Sequence, residues 1–143
     1  MIETENLNEA RKQIDKQYKE KKKIIIKGRD ILFNRLILEN KKVNILILSH
    51  QDKKDNLKQR DSGLNQVLCK IAKQNNISLG IDLNELKIQN KKQKAEVLSR
   101  IIQNIKLIKK SKNKLKIFNS KKTPEEKAVF LTLGLPTEMI KEL

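Results

Sequence analysis

Apolar residues along this chain fall into two alternating patterns, short β-branched runs and longer stretches with helical spacing. "KIIIKG" (23–28), "VNILILSH" (43–50), "ISLGIDL" (77–83) and "KLKIFNS" (114–120) are runs of the first kind and predict buried strands. "RDILFNRLILEN" predicts a helix of about three turns between the first two. After the second, Leu64, Val67, Leu68, Ile71 and Ala72 recur at helical spacing and predict one buried face. The longest helix is expected near 91–112, with Leu98, Ile101, Ile102, Ile105 and Ile108 turned inward. Thr123-Pro124-Glu125-Glu126 supplies a cap, a first-turn proline and a capping-box glutamate in order. Gly134 should stop that helix, and "LPTEMIKEL" supplies a last short one. Ahead of all this, residues 3–22 carry only a thin stripe of Leu7, Ala10, Ile14 and Tyr18.

The order is α, then β-α repeated four times. Strands separated by helices of this length imply a parallel sheet. Four strands do not close a barrel. The expected fold is therefore α/β, either a small open sheet or a shortened, partial β/α barrel of about four parallel strands with an extra N-terminal helix. One domain over 1–143 is expected, with 1–22 as the charged helix and 23–143 as the barrel-like part. An exposed sheet edge invites pairing, so the N-terminal helix or a partner is expected to cover it.

Charge narrows the class of partner. The 143 residues include 33 Lys plus Arg against 17 Asp plus Glu, a formal net charge of +16. Such a surplus attracts polyanions, of which nucleic acid is the commonest, although lysine also serves plain solubility. Residues 100–122 contain Arg100, Lys106, Lys109, Lys110, Lys112, Lys114, Lys116, Lys121 and Lys122 and no acid. With one Tyr, three Phe and no Trp, base stacking has few platforms, and contacts to phosphates are the better expectation.

Reaction chemistry finds little support. Cys69 is the only cysteine and falls among apolar neighbours, so it reads as core. No apolar run approaches a membrane span and the first residues are acidic, so a cytoplasmic protein without a membrane partner is expected. His50 is the only histidine and ends a predicted strand, with Asp52, Asp55, Asp61 and Asp82 as the nearest candidate co-ligands. Without a second histidine, a strand-end hydrogen bond is expected rather than a metal site. Asp82 and Glu85 make only a weak carboxylate pair, and Gly28, Gly63, Gly80 and Gly134 stand apart rather than forming a phosphate loop. No catalytic residue, metal ligand or protein-bound cofactor is expected.

"RDSG" (60–63) is the densest motif. Asp61 or Ser62 is expected to cap the following helix, with Gly63 allowing a tight entry. Arg60 would then stand at the helix mouth, where free amides favour a phosphate.

"NILILSH", "RDSGLNQVLCKIAKQNNISLGIDL", "VLSRIIQNIKL" and "LGLPTEMIKEL" together resemble the archaeal ribonuclease P protein component 3 family, itself related to a eukaryotic ribonuclease P protein. The resemblance runs from about residue 20 onward and is most specific at RDSG and at Ser99, Arg100 and Asn104. It implies a β/α-barrel protein related to metal-dependent phosphoesterases but serving as a noncatalytic subunit. Its implied role is to help a catalytic RNA remove the 5′ leader of precursor tRNA. Mg2+ would be required by the RNA-containing holoenzyme and not bound by the protein. Implied partners are ribonuclease P RNA, precursor tRNA within the complex, and other protein subunits, especially a small α/β one. Charge and resemblance together mark Arg60, Arg100, Lys106, Lys109, Lys110 and Lys112 as candidate RNA contacts. Asp61, Ser62, Gly63, Ser99 and Asn104 become candidates for a partner contact or a structural turn. The chain departs from the family in lacking its first β/α units. It also has Gln66 in place of a histidine, Ile102 and Gln103 in an arginine-rich turn, and "NSKK" in a glycine loop. The competing classes are a degenerate metal phosphoesterase built on His50 and a general basic RNA- or ribosome-associated protein.

Overall fold

Four parallel strands lie side by side in chain order, and helices carry the chain from each to the next. The computed structural model describes residues 1–51, 53–55, 57–58 and 60–141. The elements are α1 (Leu7–Lys19), β1 (Ile25–Lys27), α2 (Ile31–Leu38), β2 (Ile45–Leu48), α3 (Gln66–Gln74), β3 (Ser78–Asp82), α4 (Lys91–Ser111), β4 (Leu115–Phe118), α5 (Pro124–Thr132) and α6 (Thr137–Lys141). A single 3₁₀ turn, Leu83–Leu86, follows β3. Its polar composition had suggested only a connection. In register, Leu46 stands beside Ile26 and Leu79, and Leu79 beside Leu115. The architecture is the expected α/β one, a partial β/α barrel of four parallel strands.

Burial explains the strand composition. Leu46 and Leu48 point into a core shared with Ile37 and Leu38 of α2, Leu68 and Ala72 of α3, and Ile101 and Ile105 of α4. Ile45 and Ile47 alternate to the other face and are also buried, each 3% exposed. There the Phe118 side chain reaches across Gly80 toward Ile47, and a Cβ at Gly80 would lie 2.9 Å from that ring. Side chains alone, rather than a second layer of helices, cover this concave face.

Three helix phases differ from the sequence expectation. Val67 is 55% exposed because α3 turns Leu68, Cys69 and Ala72 inward instead. In α4 the buried stripe is Val97, Arg100, Ile101, Asn104, Ile105 and Ile108, which leaves Leu98 and Ile102 only half-buried. Tyr18 of α1 is exposed beneath the Lys42 ammonium, 5.2 Å from its ring centre. A capping box also fails to form as expected at α5. Thr123 accepts from the Glu126 amide at 3.3 Å, but the Glu126 carboxylate turns upstream to the amides of Lys121 and Lys122, each at 3.1 Å.

The outer edge of β1 is covered by the segment before α1 rather than by the helix. Ile2 donates to the Ile25 carbonyl at 2.8 Å and accepts from the Lys27 amide at 3.0 Å. Beyond the end of β1, Gly28 permits a close approach: a Cβ would lie 2.7 Å from Asn34 Oδ1 and 3.0 Å from the Ile47 carbonyl. Gly28→Ala should therefore cost about 1–3 kcal/mol through overpacking, read as a lower urea midpoint. An unchanged midpoint would mean that Asn34 can turn aside freely.

Candidate nucleic-acid interface

The C-terminal ends of β2 and β3 meet in a buried polar cluster. His50, two residues past β2, has no exposed surface. Its main-chain amide donates to both Glu85 carboxylate oxygens, at 3.0 and 3.3 Å, and its Nδ1 lies 2.6 Å from Glu85 Oε2. On the other side Asn104 Nδ2 donates to the Ser62 carbonyl at 3.0 Å and stands 2.9 Å from His50 Nε2. A carbonyl can only accept, so it fixes the amide NH2 toward itself and the ring. Nε2 must then accept, and the imidazole carries its proton on Nδ1, facing Glu85. Both ring nitrogens are engaged in hydrogen bonds at the strand end. Asp82 takes no part: it accepts from the Asn84 amide at 2.9 Å and from Asn119 Nδ2 at 2.6 Å. Among the described residues no group of three or more His, Cys, Asp and Glu is placed to hold a metal ion. Asp52 lies outside those residues.

RDSG does not cap α3. Asn65 does, accepting from the Leu68 amide at 2.9 Å. The turn folds on itself instead, with Asp61 accepting from the Gly63 amide at 2.9 Å and the Ser62 hydroxyl donating to the Leu64 carbonyl at 3.3 Å. Three side chains from α2 and α4 then hold its main chain. Asn34 donates to the Gly63 carbonyl at 2.8 Å, Asn104 to that of Ser62, and Gln103 to that of Arg60 at 3.2 Å. Gly63 has φ +75°, and a Cβ there would lie 3.2 Å from Asn34 Nδ2. Asn34 and Glu85 escaped the sequence reading, and so did the anchoring role of Asn104. The available signal was a polar residue in phase with an apolar stripe, as Asn34 is with Phe33, Ile37 and Leu38.

The cations marked from sequence separate into two sets. Arg100 is buried, 3% exposed, because it falls on the inward stripe of α4. Its guanidinium donates to the carbonyls of His50 at 3.2 Å and Lys53 at 2.9 Å and to Asp55 at 3.2 Å. This clamps the loop after β2, whereas the sequence placed Arg100 on a solvated face. The Asp61 amide, with Arg100 beside it, holds the Asp55 carboxyl below its ordinary value. Those contacts stabilise the fold above the ordinary carboxylate range and fade as pH falls through the lowered value. Lys53 is half-buried and donates to the Arg29 carbonyl.

The second set is exposed. Ser99, Gln103, Lys106 and Lys110 recur along one stripe of α4, and Arg60 joins Ser99, Gln103 and Lys106 around a shallow groove. Arg60 stands 3.6 Å from Asp55 and is half-exposed, five residues ahead of the α3 cap rather than at its mouth. Ser99 bonds back to the Ala95 carbonyl at 2.8 Å. Lys109 and Lys110 occupy the last turn of α4, and Lys112 follows it in the left-handed conformation. Part of their effect is to complement the negative end of the helix dipole.

No family model matches the chain. Over 109 residues, 76% of its length, it is 28% identical to ribonuclease P protein component 3 of Methanococcus maripaludis strains C7 and C6. It also matches a chain in the cryo-EM structure of archaeal ribonuclease P with mature tRNA, with a TM-score of 0.75 and 26% identity over 99% of its length. The chain is a relative of ribonuclease P protein component 3. This component 3 relative spans less than half of the curated proteins, 44%, and 62% of the structural neighbour. Its strand-end cluster, RDSG turn and exposed α4 stripe all lie in the part that the structural match covers. Among the described residues of this component 3 relative no helix is long and apolar enough to cross a membrane.

Proposed function

We propose that this chain acts as a protein subunit of ribonuclease P, supporting the catalytic RNA in removing 5′ leaders from precursor tRNA. The observation that carries this reading is the structural match, 99% of the chain at a TM-score of 0.75, to a chain of an archaeal ribonuclease P. The net charge of +16 supplies the attraction such a role needs. Arg60, Lys106, Lys109, Lys110 and Lys112 contact phosphates, and Arg100, Asn104 and the RDSG turn hold the surface in shape. Cleavage belongs to the RNA, whose Mg2+ the holoenzyme requires, and the chain alone does not hydrolyse phosphoesters. His50 supports this division, because both its nitrogens are already engaged and its surface is closed. A small α/β protein subunit is its partner in the complex, which works in the cytoplasm.

Two measurements test the reading. RNA recovered with the tagged chain should be enriched in ribonuclease P RNA, and enrichment of ribosomal RNA instead would point to a general basic RNA-binding protein. In a reconstituted holoenzyme, leaving the chain out should slow leader removal or raise the Mg2+ requirement. Unaltered cleavage with every other subunit present would end the proposal.

A further inference from the structure

Between the loop after β2 and the first two turns of α4 lies a cleft of about 180 Å³, lined by Gln51, Lys53, Ile88, Gln93, Glu96 and Arg100 among others. Its volume is well below the roughly 300–1,000 Å³ of pockets that take whole small molecules, so it suits a single chemical group. Two observations say which. Arg100 is 3% exposed, and although its Nη atoms are paired, its buried Nε has no partner among the described residues. A buried donor left unpaired is costly, so an acceptor belongs there. Lys53 brings a second cation to the same cleft. Burial pushes its ammonium down, Asp61 and Asp30 pull it back up, and the nearby Arg100 charge pushes it down again. Like charges side by side in a half-closed cleft are stabilised by an anion. The nearby carboxylates are mostly engaged. Asp55 serves Arg100 and the Asp61 amide, Asp61 serves Gly63, and Asp30 caps α2, which leaves Glu96 as the acid in the lining.

We infer that this cleft is a phosphate site, taking one tetrahedral oxyanion with Arg100 Nε and Lys53 as the cationic donors and the amides of Gln51 and Gln93 beside them. The phosphate is either part of an RNA backbone or a free ion. The first source rests on the RNA-binding role proposed above, and the second does not.

Arg100 also clamps the loop, so the test leaves it intact. Gln93 is exposed at the third position of α4, where a negative charge complements the helix dipole, so Gln93→Glu should fold normally. The full chain is titrated with inorganic phosphate at constant ionic strength while the Arg100 Nε–H signal is followed by nitrogen-15 NMR, with chloride as control. The expected result is a saturable shift that chloride does not produce. Binding should weaken about threefold or more in Gln93→Glu and tighten in Glu96→Gln, the range for one charge at a partly exposed site. A shift that never saturates, that chloride reproduces, or that both substitutions leave unchanged overturns the site. A short RNA that competes with phosphate for the same signal assigns the site to the backbone. Phosphate binding that RNA does not disturb assigns it to the free ion. A chain that binds RNA yet gives no phosphate response sinks the cleft and leaves the subunit role standing.

Discussion

Replacing Glu85 by alanine should destabilise the fold by about 3–5 kcal/mol, a large share of the 5–15 kcal/mol typical of a domain. Glu85 is 7% exposed and is the acceptor for two donors of His50, the main-chain amide and Nδ1–H. Removing it strands both where no water reaches, at about 1–3 kcal/mol each. The ring cannot escape by shifting its proton to Nε2, because Asn104 is held with its NH2 toward the ring by the Ser62 carbonyl. Loss should therefore spread from the 3₁₀ turn to the RDSG turn. Urea denaturation followed by circular dichroism gives the magnitude. Glu85→Gln, which keeps one carbonyl acceptor, should lose less. A Glu85→Ala midpoint within about 1 kcal/mol of the parent would mean that the cluster is not what holds the strand ends together.

Periodicity made the layer order and the parallel sheet legible, because four β-branched runs alternating with helical segments admit few other arrangements. It failed where a polar side chain takes an apolar position. Arg100 and Asn104 occupy the buried stripe of α4 beside Ile101, Ile105 and Ile108, so counting apolar residues rotated the helix toward Leu98 and Ile102. The same cause hid Asn34 in α2. RDSG misled differently. Asp and Ser before an apolar repeat satisfy the rule for a helix cap, yet Asn65 is nearer to α3 and takes the position. Glu85 was beyond any local rule, since its partner His50 lies 35 residues away. Exposed cations were the opposite case. Lys106, Lys109, Lys110 and Lys112 all stand in solvent where charge counting put them, because a lysine seldom finds the partners that burial demands.

Those four lysines carry the second large effect. Changing Lys106, Lys109, Lys110 and Lys112 together to glutamine removes four of the positive charges behind the net +16. If each neutralises one phosphate, the slope of log affinity against log salt should fall by about 0.7–0.9 for each, and affinity near 0.1 M salt should drop by roughly two to three orders of magnitude. Folding should survive, since all four side chains are exposed and the lost dipole complement costs about 0.3–1 kcal/mol per residue at most. The control is an equal charge change elsewhere, with Lys12, Lys16, Lys19 and Lys21 on and just after α1 made glutamine. That variant carries the same net charge but leaves the groove beside Arg60 untouched, so filter-binding curves should move little. Equal losses in both variants would reduce the interaction to unspecific attraction between a basic chain and a polyanion. A large loss confined to the α4 variant requires a phosphate track along this one helix, at a spacing that α4 alone supplies. It also separates the exposed stripe from Arg100, whose guanidinium the loop after β2 already holds.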